Sequence, residues 1–385
     1  MDLKPLFRLM AEKQASDLFF TAGAPIQIKI QGNIVGVNQQ MLSADQVKQC
    51  AYSLMDEERI ARFEREWEMN FGIPVAEVGS FRVNVFRQRG AVAMVIRYIK
   101  ANPPMLHELE MPDGLDELCM LKRGLVLVVG ATGSGKSSTL AAMLNYRNNA
   151  KPGHILTLED PIEFQHRHKK CIVNQREVGI DTHSYEDALK NAMREAPDVL
   201  MIGEIRDKDT LSHALTYAQS GHLCLSTLHA NNSYHTMNRI INFFPEDARA
   251  SLLLDLSTSL RAVISQRLVR GIDGKLIPAV EVLLNTNRIA ELIKNGEIDQ
   301  IKEAMENSLS QGSQTFEQSL YKLYRDGRIT LDEAMLNADS PTNLHWLVSH
   351  GQSHDETDQA RPHSKQEAQQ EQPVSFDIDL IDEQH

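Results

Sequence analysis

Residues 130 to 137 read Gly-Ala-Thr-Gly-Ser-Gly-Lys-Ser, which is the complete spacing of a phosphate-binding loop. Glycine at every second or third position lets successive backbone amides turn toward one anion, and a helix starting at the loop's end adds a favourable field. Lys136 is the side chain expected to reach the β- and γ-phosphates, and Ser137 the hydroxyl expected on Mg²⁺. The expected nucleotide contacts are Gly130, Ala131, Thr132, Gly133, Ser134, Gly135, Lys136, Ser137 and Ser138, with ATP and Mg²⁺ as the ligands.

Three further segments carry groups suited to phosphoryl transfer. Asp198 to Asp207 contains the apolar run Val199 to Ile202 followed by Glu204, a carboxylate at the C-terminal end of a buried strand, where it could hold Mg²⁺. Leu158-Glu-Asp-Pro-Ile-Glu163 offers Glu159, Asp160 and Glu163 at another strand end, and a carboxylate there could position the attacking water. Gly221 to His229 places His222 and His229 at the two ends of a short apolar strand. His229, at the C-terminal end, could hydrogen-bond to a γ-phosphate.

These groups need a scaffold, and the sequence supplies one. Leu125 to Val129 before the loop is a buried-type strand, and a helix is expected over Ser138 to Asn145 after it. Between about 105 and 285 such strands (Leu125 to Val129, His154 to Leu158, Val199 to Ile202, His222 to Ser226) alternate with helical segments. That alternation predicts a parallel sheet covered on both faces. Upstream, residues 1–100 read as a small α/β domain. It has a strand over 17–21, a hairpin over 25–37, a helix opened by the capping-box spacing Ser43-Ala-Asp-Gln46, a charged helix through Trp67, and strands over 80–87 and 92–99. Ala101-Asn-Pro-Pro104 opens a linker over 101–110, since consecutive prolines fit neither a helix interior nor a central strand. The expected divisions are then a core over 111–285, a helical subdomain over 286–350 and a disordered acidic tail over 351–385.

Composition narrows the function classes. Net charge is −12, and the last 35 residues hold nine acids against Arg361 and Lys365. The absence of a basic block argues against DNA or RNA as the main partner, because phosphate neutralisation dominates such affinities. No apolar run approaches the length of a membrane span, and the N-terminus has no secretory pattern, which predicts a cytoplasmic protein. The four cysteines stand singly, without metal-site spacing, and are expected to be reduced and structural.

In order and spacing, the four motifs resemble the Walker A loop, Asp box (Ile155 to Phe164), Walker B segment and His box of the secretion and type IV pilus ATPase superfamily. Ala15-Ser-Asp-Leu18, Phe81-Arg-Val-Asn84, Arg176-Glu-Val-Gly179 and Ser259 to Gln266 further resemble the PilT/PilU family of pilus retraction ATPases. The resemblance implies a PAS-like N-terminal domain and a RecA-like P-loop ATPase core with a helical C-terminal subdomain, assembled as a homo-hexamer. It implies hydrolysis coupled to movement between the two domains, driving pilus retraction. Glu163, Glu204, Lys136 and His229 would be catalytic, with Ser137 and Glu204 on Mg²⁺. Arg82 and Arg97 fall where the family supplies arginines to a shared site between subunits, and Arg194 is a weaker candidate.

Within the family, the absent tetracysteine insertion disfavours an extension motor. Phe19 after the Ala-Ser-Asp-Leu motif, a partial match at Arg288 to Lys294 and the acidic tail point to a PilU-type accessory motor. A PilT-type paralogue and an inner-membrane pilus platform protein are the implied partners, the membrane being reached only through them. The alternative reading is a regulatory or structural ring component that binds ATP without needing its own turnover. A DNA-uptake or conjugation ATPase is a third. The tail's last apolar stretch, Phe376 to Asp382, alternates with acids and could dock on a partner.

Overall fold

The computed structural model describes residues 2–350 other than 31, 309 and 311. The acidic tail and its Phe376 to Asp382 stretch lie outside the described residues.

The N-terminal part runs α1 (Lys4–Glu12), β1 (Asp17–Phe20), β2 (Gln27–Ile30), β3 (Asn33–Gly36), α2 (Ala44–Tyr52), α3 (Glu57–Glu66), β4 (Glu68–Val75), β5 (Gly79–Gln88) and β6 (Ala91–Ile99). The strands form one antiparallel sheet in the order β3-β2-β1-β6-β5-β4. Alternation selects its inner face: Phe81, Val83 and Val85 of β5 are fully buried in one cluster with Phe7 and Met10 of α1 and Val47 of α2. The capping box at Ser43 forms as expected. The Ser43 hydroxyl accepts from the Gln46 N–H at 3.2 Å, and the Gln46 side chain accepts from the Ser43 N–H at 2.8 Å. Sequence reasoning missed β4, although Met69 and Phe71 alternate with polar neighbours. Gly72 and Pro74 hid it, and the strand lies at the sheet edge, where proline is tolerated.

The second part continues with α4 (Leu115–Met120), β7 (Gly124–Gly130), α5 (Lys136–Ala150), β8 (Gly153–Glu159), β9 (Cys171–Glu177), α6 (Tyr185–Ala192), β10 (Val199–Ile202), α7 (Lys208–Gln219) and β11 (Leu223–Leu228). There follow α8 (Ser233–Asn242), α9 (Arg249–Ser259), β12 (Leu260–Arg270), β13 (Leu276–Leu284), α10 (Asn287–Asn295), α11 (Ile301–Glu306), α12 (Phe316–Arg325), α13 (Leu331–Asn337) and α14 (Pro341–His350). The sheet order is β13-β12-β7-β11-β10-β8-β9. All pairings are parallel except β12 with β13, so the expected parallel sheet carries an antiparallel edge hairpin.

Both faces of this sheet are covered. Leu125, Leu127 and Val129 of β7 pack with Leu156, Leu200 and the helices α6, α7, α9 and α10, while Val126 and Val128 pack with α4 and α5 on the other face. Every residue of β7 is buried, which is why its sequence is a continuous apolar run instead of an alternating one. The helical residues after β13 divide in two. Ile289, Leu292, Ile301 and Met305 join the main core, whereas Phe316, Leu320 and Leu344 pack on Val269, Ile277 and Ala279 of the β12–β13 hairpin.

Candidate nucleotide site

Helix α5 begins at Lys136, two residues before the expected start, so the P-loop runs directly into its first turn. Gly130 has a positive φ of 152°, and a Cβ there would meet the Ser134 hydroxyl at 2.4 Å and the Gln266 carbonyl at 2.5 Å. The loop therefore turns away from β12 at a position only glycine can occupy without displacement. The Lys136 ammonium donates to the carbonyls of Gly130 and Ala131, each at 2.9 Å, and so braces the loop from within. Burial lowers its pKa, against the opposing pull of Glu204 and Glu163.

The neighbouring strands deliver the carboxylates. The Ser137 hydroxyl donates to Glu163 Oε1 at 2.9 Å, joining the Asp-box loop to the P-loop. Glu204 follows β10, and the backbone around it is pinned on both sides. The Gly203 N–H donates to the Leu158 carbonyl at 2.7 Å, the Thr227 hydroxyl to the Gly203 carbonyl at 2.6 Å, and the Ile205 N–H to the Thr227 carbonyl at 2.9 Å. One Glu204 oxygen faces His229 Nε2 at 3.2 Å, and the other accepts from Arg206 Nε at 2.7 Å. Arg206 reaches on to Asp160 at 3.3 Å. Lys136, Ser137, Glu159, Glu163, Glu204 and His229 thus line one cavity of about 230 Å³ at the C-terminal edge of the sheet.

Glu159 is the deepest acid of this group. It is 8% exposed, accepts from the Thr157 hydroxyl at 2.7 Å and Gln175 Nε2 at 3.1 Å, and burial pushes its carboxyl up to about 7. His166 and Tyr185 also line the cavity. Burial, with the charge of Lys169, holds His166 down to about 4, so it is neutral there at physiological pH.

The remaining candidates are placed differently. Arg82 and Arg97 line a second cleft of the same chain, between the two parts of the molecule, together with Lys100, Ser138 and Glu163. Arg82 lies 3.4 Å from Glu177, and Arg97 donates to Asp17 at 2.9 Å. Arg194 sits on the exposed turn Met193–Glu195, bonded to Asn191 at 3.4 Å, and lines neither cavity. His222 precedes β11 at the end of the sheet opposite the cavity and contacts Ser220 at 3.1 Å and the Tyr217 ring, which gives it a structural role. Sequence reasoning gave no role to Gln175, Glu177, Tyr185 or Arg206. The signals available were the Arg176-Glu-Val-Gly179 motif and the arginine two residues after Glu204.

The Ser137 hydroxyl and the Glu163 and Glu204 carboxylates form a set of hard oxygen donors beside the P-loop, the chemistry that suits Mg²⁺. Among the described residues no group of three or more His, Cys, Asp or Glu side chains is arranged to hold a metal unaided. That is compatible with Mg²⁺, which takes few protein ligands and relies on phosphate and water for the rest.

The sequence profile of the family described as Type II/IV secretion system protein matches residues 2–375. The chain belongs to that family. Within it, the chain is 49% identical over 356 residues to the type IV pilus ATPase PilU of Pseudomonas aeruginosa, covering 92% of this chain and 93% of PilU. It is 41% identical over 344 residues to the pilus retraction ATPase PilT of the same organism, covering 89% of this chain and all of PilT. A crystal structure of the pilus retraction motor PilT with bound ADP superposes with a TM-score of 0.84 at 42% identity, covering 90% of this chain and 99% of that one. The family resemblance drawn from the motifs therefore holds, and so does the architecture of a PAS-like domain followed by a RecA-like P-loop core. Identity is higher to PilU than to PilT, the direction in which the motif departures point. No described helix is long and apolar enough to cross a membrane.

Proposed function

We propose that this chain is a Mg²⁺-dependent ATP hydrolase that powers type IV pilus retraction, working in a hexameric ring as a PilU-type accessory to a PilT-type motor at the inner-membrane pilus platform. The similarity to PilU and PilT supports the pilus role. The observation that carries the enzymatic reading is the convergence of Lys136, Ser137, Glu163, Glu204 and His229 on one cavity at the sheet's C-terminal edge. Lys136 and the loop amides bind the phosphates, and Ser137 with Glu204 would hold Mg²⁺, which would supply neutralisation of the phosphate charge. Glu163 accepts the proton of the attacking water, and its hydrogen bond from Ser137 fixes its carboxylate beside the phosphate-binding loop. His229 keeps Glu204 oriented through their 3.2 Å contact and so reads the state of the γ-phosphate at the same carboxylate. Arg82 and Arg97 stand in the adjoining cleft, where guanidinium groups offset transition-state charge.

The test is turnover by the purified full-length chain. Lys136→Ala removes the ammonium that meets the phosphates and is expected to abolish hydrolysis while leaving the fold intact. Full turnover in that variant contradicts the site assignment.

A further inference from the structure

The loop that presents Glu163 is held from two sides. On the side of the core, Gln175 of β9 accepts from the His166 N–H at 2.7 Å and donates to the Phe164 carbonyl at 2.9 Å. On the side of the N-terminal domain, the Lys100 N–H donates to the Glu163 carbonyl at 3.3 Å, and the Lys100 carbonyl accepts from the Gln165 N–H at 3.0 Å. Glu177 stands in both sets of contacts. Its Oε2 accepts from the Ile162 N–H at 3.1 Å, one residue before Glu163, and its Oε1 lies 3.4 Å from Arg82 of β5.

Glu177 cannot easily move. Its N–H donates to Asp181 Oδ2 at 2.9 Å, its carbonyl accepts from the Asp181 N–H at 2.8 Å, and its side chain is only 5% exposed. A carboxylate so buried is tolerated only where donors and a counter-charge meet it. Ile162 N–H is the donor and Arg82 the cation, while the nearby acids Asp181 and Asp160 oppose its charge. Nothing in the hydrolytic roles assigned above uses this residue.

We propose that Glu177 is a positioning residue for hydrolysis, tying Arg82 of the N-terminal domain to the loop that presents Glu163. The proposal rests on the reading of Glu163 and its cavity as the hydrolytic site. When the N-terminal domain shifts, Arg82 moves with β5 and takes away the counter-charge of Glu177. The buried carboxylate, left unpaired, then loosens its hold on the Ile162 N–H, and the change passes to the adjacent Glu163. Because Lys100 grips the same loop on either side of Phe164, the position of the N-terminal domain is read at both ends of the segment. The relative position of the two parts of the chain thereby sets whether Glu163 is in place.

The test uses the full-length protein with Arg82→Gln, Glu177→Gln, the double variant and Arg82→Lys, measuring steady-state ATP turnover and amide hydrogen exchange over residues 159–166. Glu177→Gln is expected to lower kcat by roughly tenfold, since small misplacements of a catalytic group cost rate steeply, and Arg82→Gln by at least as much because its own charge is lost as well, with KM for ATP held within about twofold. Glu177→Gln should cost nothing further once Arg82 is already Gln, because the two act as one unit. Arg82→Lys should recover part of the rate. Exchange at the Ile162 amide should rise in Arg82→Gln although that residue does not touch the amide. Multiplicative losses in the double variant, or unchanged exchange at Ile162 in Arg82→Gln, overturn the proposal. Exchange is read without turnover, so a Glu204→Gln control that keeps full activity would fault the hydrolytic reading alone, leaving the tie decided by exchange.

Discussion

Gly203 is the residue on which the placement of Glu204 can be tested without touching a charged group. It follows β10, and Ile202 before it pairs with Leu158 of β8. A Cβ at 203 would meet the Tyr185 hydroxyl at 2.9 Å, the Leu158 carbonyl at 3.2 Å and Glu159 Cα at 3.3 Å. Two of those three atoms are backbone and cannot rotate aside. Gly203→Ala must therefore push the end of β10 away from β8 by about half an ångström to restore ordinary contact distances, at a cost of about 1–3 kcal/mol in stability for overpacking. The displacement falls on the residue before Glu204. A 1 Å misplacement near the chemistry can cost about a hundredfold in rate, so a shift of half that size is expected to cost roughly tenfold in kcat. The P-loop lies on β7 and α5, so KM for ATP should change little. Tyr185→Phe in the same chain removes the nearest obstacle and should recover part of the loss. Steady-state ATPase assays and thermal melts of both variants provide the measurement. A Gly203→Ala chain with unaltered kcat, or one whose loss lies in KM alone, refutes the argument that this glycine sets the position of Glu204.

Other outcomes follow from the buried groups. Glu159 is raised by burial from an ordinary 4.5 to about 7, so between those values the native state binds more protons than the unfolded chain. Its contribution to stability is complete below pH 4.5 and is lost as pH rises through 7. Glu159→Gln should abolish that loss, so from pH 4.5 to 7.5 the natural chain should lose roughly 3 kcal/mol relative to the variant; parallel pH slopes in denaturant titrations of the two would contradict this. Cys50, Cys119, Cys171 and Cys224 are all buried, and burial pushes the Cys119 and Cys224 thiols up to about 12. A thiol reagent should therefore find none of them reactive in the native protein and all four after denaturation, and rapid native labelling would count against this core.

The parts of the site legible in the sequence were those whose signal is local. The P-loop announces itself because glycine spacing, a preceding apolar run and a following helix lie within about twenty residues, while Glu204 and His229 lie just past the ends of short apolar strands and Glu163 in the loop after another. Gln175, Glu177 and Glu159 were not legible as a network. Register brings only part of it together, since β8 pairs with β9 so that Thr157 faces Gln175 and Glu159 faces Glu177, while Ile162 and Phe164 come from the loop after β8 and Arg82 from β5 of the other sheet. Strand β9 was also hard to see, since polar Asn174, Gln175 and Arg176 interrupt it at an edge of the sheet. The antiparallel β12–β13 hairpin escaped for a different reason: Ser259 to Gln266 was legible only as a family motif, and alternation of strands and helices upstream suggested parallel pairing throughout. Placement of Arg82 and Arg97 in a cleft of their own chain depends on how the N-terminal domain sits on the core, which no local pattern encodes.

The central claim is that hydrolysis at this chain's own cavity contributes to pilus retraction, and its most direct measurement is retraction force and speed in a strain lacking the gene, complemented with either the natural chain or Glu204→Gln. Glu204 is held by His229 and Arg206 within the cavity, so the amide keeps the shape of the site while removing the charge that hydrolysis requires. Retraction as defective with Glu204→Gln as with no protein at all is the predicted result. Full retraction with Glu204→Gln would contradict the account and leave the chain a ring component that supports a partner's turnover.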